Sequence, residues 1–211
     1  MVIFTGNMYF IKTPSWLKKV YGGYIWDIPV REKKIFLTFD DGPHPVATPF
    51  VLEQLKHYNA RATFFCIGKN VQAEPALYQQ LFEEGHRVGN HTHNHLNGWR
   101  TDTHIYLDNI LQASNVINTD LFRPPYGRIT RKQGYLLRQK HFRIIMWDVL
   151  SGDFDQSLAP EKCLANVVRK TTPGSIIVFH DSQKAFNNLQ YVLPKALEQL
   201  SAAGFTFEAI A

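Results

Sequence analysis

Cysteine is scarce: the 211 residues hold two, Cys66 and Cys163. That excludes a disulfide-stapled scaffold and any cysteine-rich metal cluster. Cys66 lies inside the apolar run ATFFCIG and reads as a small buried hydrophobe. Spacing alone does not say whether Cys66 and Cys163 pair. Long apolar runs are missing too. No stretch of about 20 apolar residues exists, so no transmembrane helix is expected. The N-terminus lacks the apolar core of about 7–15 residues that an export signal carries, being interrupted by Lys12, Pro14, Lys18 and Lys19. Cytoplasmic location is the default expectation. Basic residues are not clustered: the formal charge is +5 and the pI near 9.2, spread over positions such as Lys33, Lys34, Arg131 and Lys132. This argues against a nucleic-acid partner and leaves a surface that suits an anionic polymer or a membrane as neighbour. The aromatic and basic segment from Tyr9 to Trp26 suits peripheral membrane contact or packing across the bottom of a barrel. No linker, low-complexity tract or internal repeat interrupts the chain, and no motif bears on oligomeric state.

What is present is a steady alternation of strand and helix patterns. Hydrophobic residues make up 45%, enough for a sizeable core in one domain. Strands are predicted at 35–39, 62–68, 86–90, 121–125, 142–148, 175–180 and 205–210. Helices are predicted at 45–58, 75–84, through Tyr106, Ile110, Ala113 and Ile117, at 131–140 and 160–170, and along Leu189, Leu193, Ala196, Leu197 and Leu200. Pro194 predicts a kink in the last of these, which Gly204 ends. Such alternation makes a parallel sheet, open or closed.

The unusual polar residues fall where these strands end. Asp40 and Asp41 close IFLTFDDGP, and fifty residues on from Asp41 comes His91-Thr92-His93-Asn94-His95. Arg123, Asp148, Asp153, His180 and Asp181 follow other strands. In parallel β/α barrels these ends converge on one mouth, which predicts a single cleft. Adjacent carboxylates repel unless something positive binds between them. Asp oxygen with His nitrogen suits zinc and its neighbours, so the pattern points to a metal-dependent hydrolase.

Each signal alone has a plainer reading. Asp40-Asp41 would pass as a turn or helix cap, His91 and His95 as a solvated loop, and Arg123 as a surface ion-pair residue. His44 reads as a turn residue. His57, His86, His104 and His141 read as structural or exposed. Asp181 would cap the exit from its strand. If HTHNH were extended, His91, His93 and His95 would all share one face.

Together, TFDDGP (38–43), HTHNH (91–95), RPPYG (123–127), WDVLSGDF (147–154) and IIVFHD (176–181) resemble the five ordered motifs of the polysaccharide deacetylases, carbohydrate esterase family 4. The resemblance spans about residues 33–211. It implies an α/β fold, a single-domain distorted (β/α) barrel of about seven parallel strands, with residues 1–32 as an N-terminal segment packed on it. It implies Asp41, His91 and His95 as metal ligands, which leaves His93 behind them or at the surface. The metal would be zinc, with cobalt, nickel or manganese as substitutes. Asp40 would be the base acting on metal-bound water, held by Arg123; His180 would be the general acid, oriented by Asp153. The Tyr126 N–H would stabilise the oxyanion, and Tyr126, Pro125, Phe154 and Val178 would meet the substrate.

Two positions depart from the family pattern: Phe154 stands where tryptophan is common, and Val178 where leucine is. Both bear on the acyl pocket. The resemblance implies removal of N-acetyl groups from an N-acetylglucosamine-containing glycan partner, chitin oligosaccharide or peptidoglycan. Deformylation or O-acetyl ester hydrolysis on a small or lipid-linked substrate is the alternative within that chemistry. From other classes come a ferrous oxygenase, which shares the two-histidine, one-carboxylate set, and a non-catalytic glycan-binding protein. The family is usually exported, at odds with the cytoplasmic expectation.

Overall fold

The apolar run before Asp40 forms β1 (Lys34–Asp40), six of whose seven residues are buried, as a strand covered on both faces requires. In the computed structural model, which describes residues 9–211, β1 is an interior strand lying between β2 and β7. The first eight residues of the expected 1–32 segment lie outside the described residues. After β1 come α2 (Ala47–His57), β2 (Ala62–Cys66), α3 (Gly68–Ala73), α4 (Pro75–Glu83), β3 (Arg87–Asn90), α5 (Thr103–Ser114) and β4 (Leu121–Phe122). Then follow α6 (Arg131–Gln139), β5 (Arg143–Ile144), β6 (Val149–Leu150), α7 (Pro160–Lys170), β7 (Ile176–His180), α8 (Phe186–Ala202) and β8 (Thr206–Phe207); a short α1 (Ser15–Val20) precedes β1. The spatial order is β5-β4-β3-β2-β1-β7-β6, every pairing parallel, and β8 adds to the start of β1. Seven parallel strands thus curl into a distorted half-barrel; the alternation predicts the parallel pairing, and the resemblance implies the barrel.

Core packing follows from the helical stripes. Leu189, Val192, Leu193, Ala196, Leu197 and Leu200 of α8 are buried in one cluster with Leu37, Phe39 and Ile177 of the sheet. Each fully buried aliphatic side chain contributes about 1.5–3 kcal/mol. The helix continues through Pro194. Cys66 and Cys163 are both buried and free. No described helix is long and apolar enough to cross a membrane.

The structure divides two predicted strands. The 62–68 strand stops at Cys66, and Gly68 already opens α3. The apolar run 142–148 is not one strand but a crossing. Arg143 and Ile144 pair with β4, then the chain passes to the far edge, where the Asp148 N–H donates to the Ile176 carbonyl beside β7. Both stretches are buried, so hydrophobicity alone could not distinguish one strand from two.

That crossing relocates Asp148. It lies level with Ile176, four residues before His180 on β7, hence about 13 Å from the mouth where the strands end. There its carboxylate accepts from Lys12 Nζ at 2.5 Å, Lys18 Nζ at 2.7 Å and Ser175 Oγ at 2.6 Å. Asp148 therefore does not point into the cleft, against the prediction; it anchors the N-terminal segment. That segment lies along the gap between β5 and β6 and reaches the barrel's bottom, where the Ile28 N–H donates to the Gly174 carbonyl just before β7. Met146 donates to the Ile25 carbonyl and Leu150 to that of Ile11, so the segment satisfies backbone groups the open sheet edge would leave bare.

Candidate active site

Arg123 follows β4, which the Pro124-Pro125 pair ends, and its side chain is completely buried. Nη1 donates to Asp40 Oδ1 and to Thr38 Oγ1, both at 2.7 Å; Nε donates to the Ile145 carbonyl and Nη2 to that of Met146. The guanidinium also lies 4.1 Å from the centre of the Phe65 ring. A buried charge is tolerated only with partners of this quality, and the rigid fork points Asp40 in one direction.

Asp41, His91 and His95 offer ligand atoms that all lie within 4.8 Å of one another. His91 Nδ1 is 2.8 Å from the Arg123 carbonyl, an acceptor, so Nδ1 carries the proton and Nε2 keeps its lone pair toward the cluster. Burial pushes the His91 pKa down to about 4, which keeps the ring neutral. Burial alone would raise the Asp41 carboxyl, but His95, His180 and His91 outweigh it and hold it well below the usual carboxylate range. Its Oδ1 is buried without a hydrogen bond, 3.1 Å from His95 Nε2 and 3.7 Å from His91 Nε2. A buried oxygen without a donor, facing two imidazole nitrogens, fits a divalent cation of the zinc type.

The HTHNH loop is not extended, so His93 does not share the face of His91 and His95. Thr92 (φ 64°) and His95 (φ 58°) take left-handed backbone, and His93 turns away to pack over Gly68. Asn109 Oδ1 accepts from the His93 and Asn94 N–H groups, both at 3.0 Å, while Asn90 Oδ1 accepts from Thr92. Sequence reading missed both asparagines. The available signal was a polar residue, Asn109, beside the apolar stripe of α5, where Tyr106, Ile110 and Ala113 are buried.

At the end of β7, His180 Nδ1 lies 2.8 Å from Asp153 Oδ1. Asp153 is wholly buried and also accepts from Ser151 Oγ and from the His180 N–H. Burial would lower the His180 pKa, but the Asp153 charge and hydrogen bond lift it to about 9. The ring is therefore protonated at neutral pH. Phe154 packs edge-on against His180, and Tyr9 from the N-terminal segment against Phe154. Val178 is buried within β7, in register with Thr38 and Leu150.

Pro125 is buried, whereas Tyr126 is 61% exposed, with its ring 4.6 Å from that of His95. Beside Tyr126 opens a groove of about 570 Å³ walled by Trp16, Tyr21, Trp99 and Trp147. Tyr126 (φ 61°) and Asp41 (φ 84°) are left-handed like Thr92 and His95. Strain of about 1–3 kcal/mol apiece concentrates where the site needs unusual side-chain directions.

The cleft thus gathers Asp40, Asp41, His91, His95, Arg123, Tyr126, Asp153 and His180. His44 Nδ1 accepts from Val46 and Ala47 at the start of α2, as a turn residue would. His86 is buried and accepts from the Ala62 N–H; His57, His104 and His141 are exposed. Asp181 is buried and turns toward Gly42 and Thr48.

Four likenesses accompany this geometry. The family model described as Polysaccharide deacetylase matches residues 27–145, a span ending before Asp153 and His180. A peptidoglycan-N-acetylglucosamine deacetylase of Bacillus cereus is 35% identical over 192 residues, covering 88% of this chain and 90% of its own. A chitooligosaccharide deacetylase of Azorhizobium caulinodans is 34% identical over 166 residues, covering 73% and 76%. A solved peptidoglycan N-acetylglucosamine deacetylase, in complex with 4-naphthalen-1-yl-N-oxidanyl-benzamide, superposes with a TM-score of 0.86 at 30% identity, covering 94% of this chain and 95% of that one.

Proposed function

Because the chain belongs to the polysaccharide deacetylase family, carbohydrate esterase family 4 hydrolases of carbon–nitrogen bonds, we propose that it removes N-acetyl groups from an N-acetylglucosamine-containing glycan of peptidoglycan or chitin-oligosaccharide type. The carrying observation is two buried pairs, Arg123–Asp40 and Asp153–His180, flanking the Asp41, His91 and His95 cluster. Residues 33–211 form the catalytic unit in this reading. Zinc, or cobalt, nickel or manganese in its place, would be held by Asp41, His91 and His95 and would act as a Lewis acid toward water and the acyl oxygen.

The chain's own residues divide the remaining work. Asp40, aimed by Arg123, takes a proton from the attacking water. The Tyr126 N–H donates to the oxyanion that develops on the acyl carbon. His180 donates its proton to the departing amine, and Asp153 fixes the ring so that Nδ1 stays engaged and Nε2 faces the cleft. A glycan-binding protein would need no such acid and base. The open face of Tyr126 and the aromatic groove beside it support a substrate extending past the acyl-bearing sugar. The groove's apolar lining also favours, within the same chemistry, deformylation or ester hydrolysis on a small or lipid-linked substrate.

The deciding assay is acetate release from N-acetylglucosamine oligomers and peptidoglycan fragments by chelator-treated protein, with and without added zinc. Release only with metal is expected. Zinc binding without release from any acetylated glycan would move the substrate elsewhere.

The pH profile tests the acid. A group whose pKa is raised to about 9 is protonated below that pH and loses its proton above it. The kcat profile should therefore decline on the alkaline side. Asp153→Asn removes the charge that raises the pKa, so the decline moves to lower pH and kcat falls by about 10²–10⁴-fold. An alkaline limb unmoved by Asp153→Asn would remove His180 from the acid's role.

A further inference from the structure

We propose that Asn70, Thr48 and Asp181 are positioning residues that grip the Asp40–Asp41–Gly42 turn and hold the Asp41 carboxylate where a metal ion can be bound. The inference rests on reading Asp41, His91 and His95 as the metal ligands. Successive residues of a strand point to opposite faces, yet Asp40 and Asp41 both serve one cleft. Asp40 reaches Arg123, while Asp41 faces His91 and His95. The left-handed backbone of Asp41 (φ 84°) makes this divergence, and for a residue with a side chain that conformation costs about 1–2 kcal/mol.

Every peptide group of the turn is engaged. The Asp40 carbonyl accepts from the Asp181 N–H at 3.1 Å, and the Asp41 N–H donates to the Phe65 carbonyl at 3.3 Å. Asn70 Nδ2 donates to the Asp41 carbonyl at 2.7 Å, the shortest bond of the set on the turn. The Gly42 N–H donates to Asp181 Oδ1 at 3.1 Å, and the Gly42 carbonyl accepts from Ile67 at 3.0 Å. Thr48 Oγ1 donates to Asp181 Oδ2 at 2.6 Å and accepts from the His44 N–H at 2.7 Å, which fixes the Asp181 carboxylate in turn.

Two separate elements thus meet on one peptide, Asn70 from α3 and Asp181 from beyond β7, and Thr48 from α2 fixes Asp181 from behind. Asp181 is completely buried, and a Cβ at Gly42 would collide with its carboxylate. Its oxygens are met by an amide and a hydroxyl, neither of them charged. A wholly buried carboxyl group met only by neutral donors costs stability whether or not it is ionised, so its placement against the Gly42 N–H points to a job at the turn.

The test compares Asn70→Ala, Asp181→Ala, Asp181→Asn and, as a control for general loosening, Leu55→Ala in the core of α2. For each, zinc affinity is read by chelator competition and melting temperature on metal-free protein. Asn70→Ala and Asp181→Ala should weaken zinc binding about 10–100-fold, as loss of a residue orienting a ligand does. Asp181→Asn should recover most of the affinity, because its amide oxygen still accepts from Gly42 and its NH₂ can donate to Thr48 Oγ1. Leu55→Ala should lower the melting temperature and leave zinc affinity unchanged. Affinities within about twofold of the unaltered protein for both alanine variants would overturn the proposal. So would losses that simply track melting temperature. If Asp181→Ala fails to fold, Asn70→Ala decides. Zinc binding without acetate release from any substrate would defeat the proposed function alone. An unaltered protein that binds no zinc would defeat this inference as well.

Discussion

Asp40→Asn should lower kcat for acetate release by about 10²–10⁴-fold with zinc affinity in place and the chain still folded, at a lower melting temperature because Arg123 loses its counter-charge. Asparagine keeps the shape, and its Oδ1 still accepts from Arg123 Nη1, the contact now made at 2.7 Å. What it lacks is a basic oxygen for the proton of the attacking water. The cluster of Asp41, His91 and His95 is untouched, so zinc titration should match the unaltered protein. Acetate release at saturating zinc measures the effect. A variant within about tenfold of full activity would exclude Asp40 as the base and direct attention to other carboxylates of the cleft.

The second large effect is on stability. Arg123→Ala should destabilise the fold by about 3–5 kcal/mol, the usual result of breaking a buried ion pair from one side. For a chain of this length that is a drop in melting temperature on the order of 10 °C. Three losses coincide: Asp40 is left buried without its cation, the Ile145 and Met146 carbonyls lose their donors, and the space beside Phe65 empties. The carbonyls matter most for the architecture, because they belong to the stretch where the chain crosses from β5 to β6. Arg123→Lys should rescue little, since one ammonium cannot reach acceptors spread around a planar fork. Thermal unfolding of both variants, beside Asp40→Asn, would separate loss of the ion pair from loss of the crossing. If Arg123→Ala melted within about 2 °C of the unaltered protein, the guanidinium would not be holding that crossing.

Much of the site was legible because its residues interrupt patterns. Asp40, His91, Arg123 and His180 stand where apolar runs stop, and a parallel sheet gathers such ends at one mouth. Asp148 stood at the end of an apolar run too, yet its strand is two strands and its partners are Lys12 and Lys18. The HTHNH spacing admitted three ligands on one face. Left-handed backbone at Thr92 and His95, pinned by Asn90 and Asn109, sends His93 elsewhere.

Sequence by itself determined the order of strands and helices, the parallel sheet and the chemical types in the cleft. These depend on local periodicity and on where hydrophobic runs end, which neighbouring residues decide among themselves. Tertiary structure alone decided that one apolar run serves both edges of the sheet, that the N-terminal segment fills the gap between them, and that Asn70 and Asp181 hold the turn of Asp41. Such outcomes rest on hydrogen bonds between residues far apart in the chain, Gly42 and Asp181 being 139 positions distant. Residue type records that a group needs a partner; only the folded chain determines which one it meets.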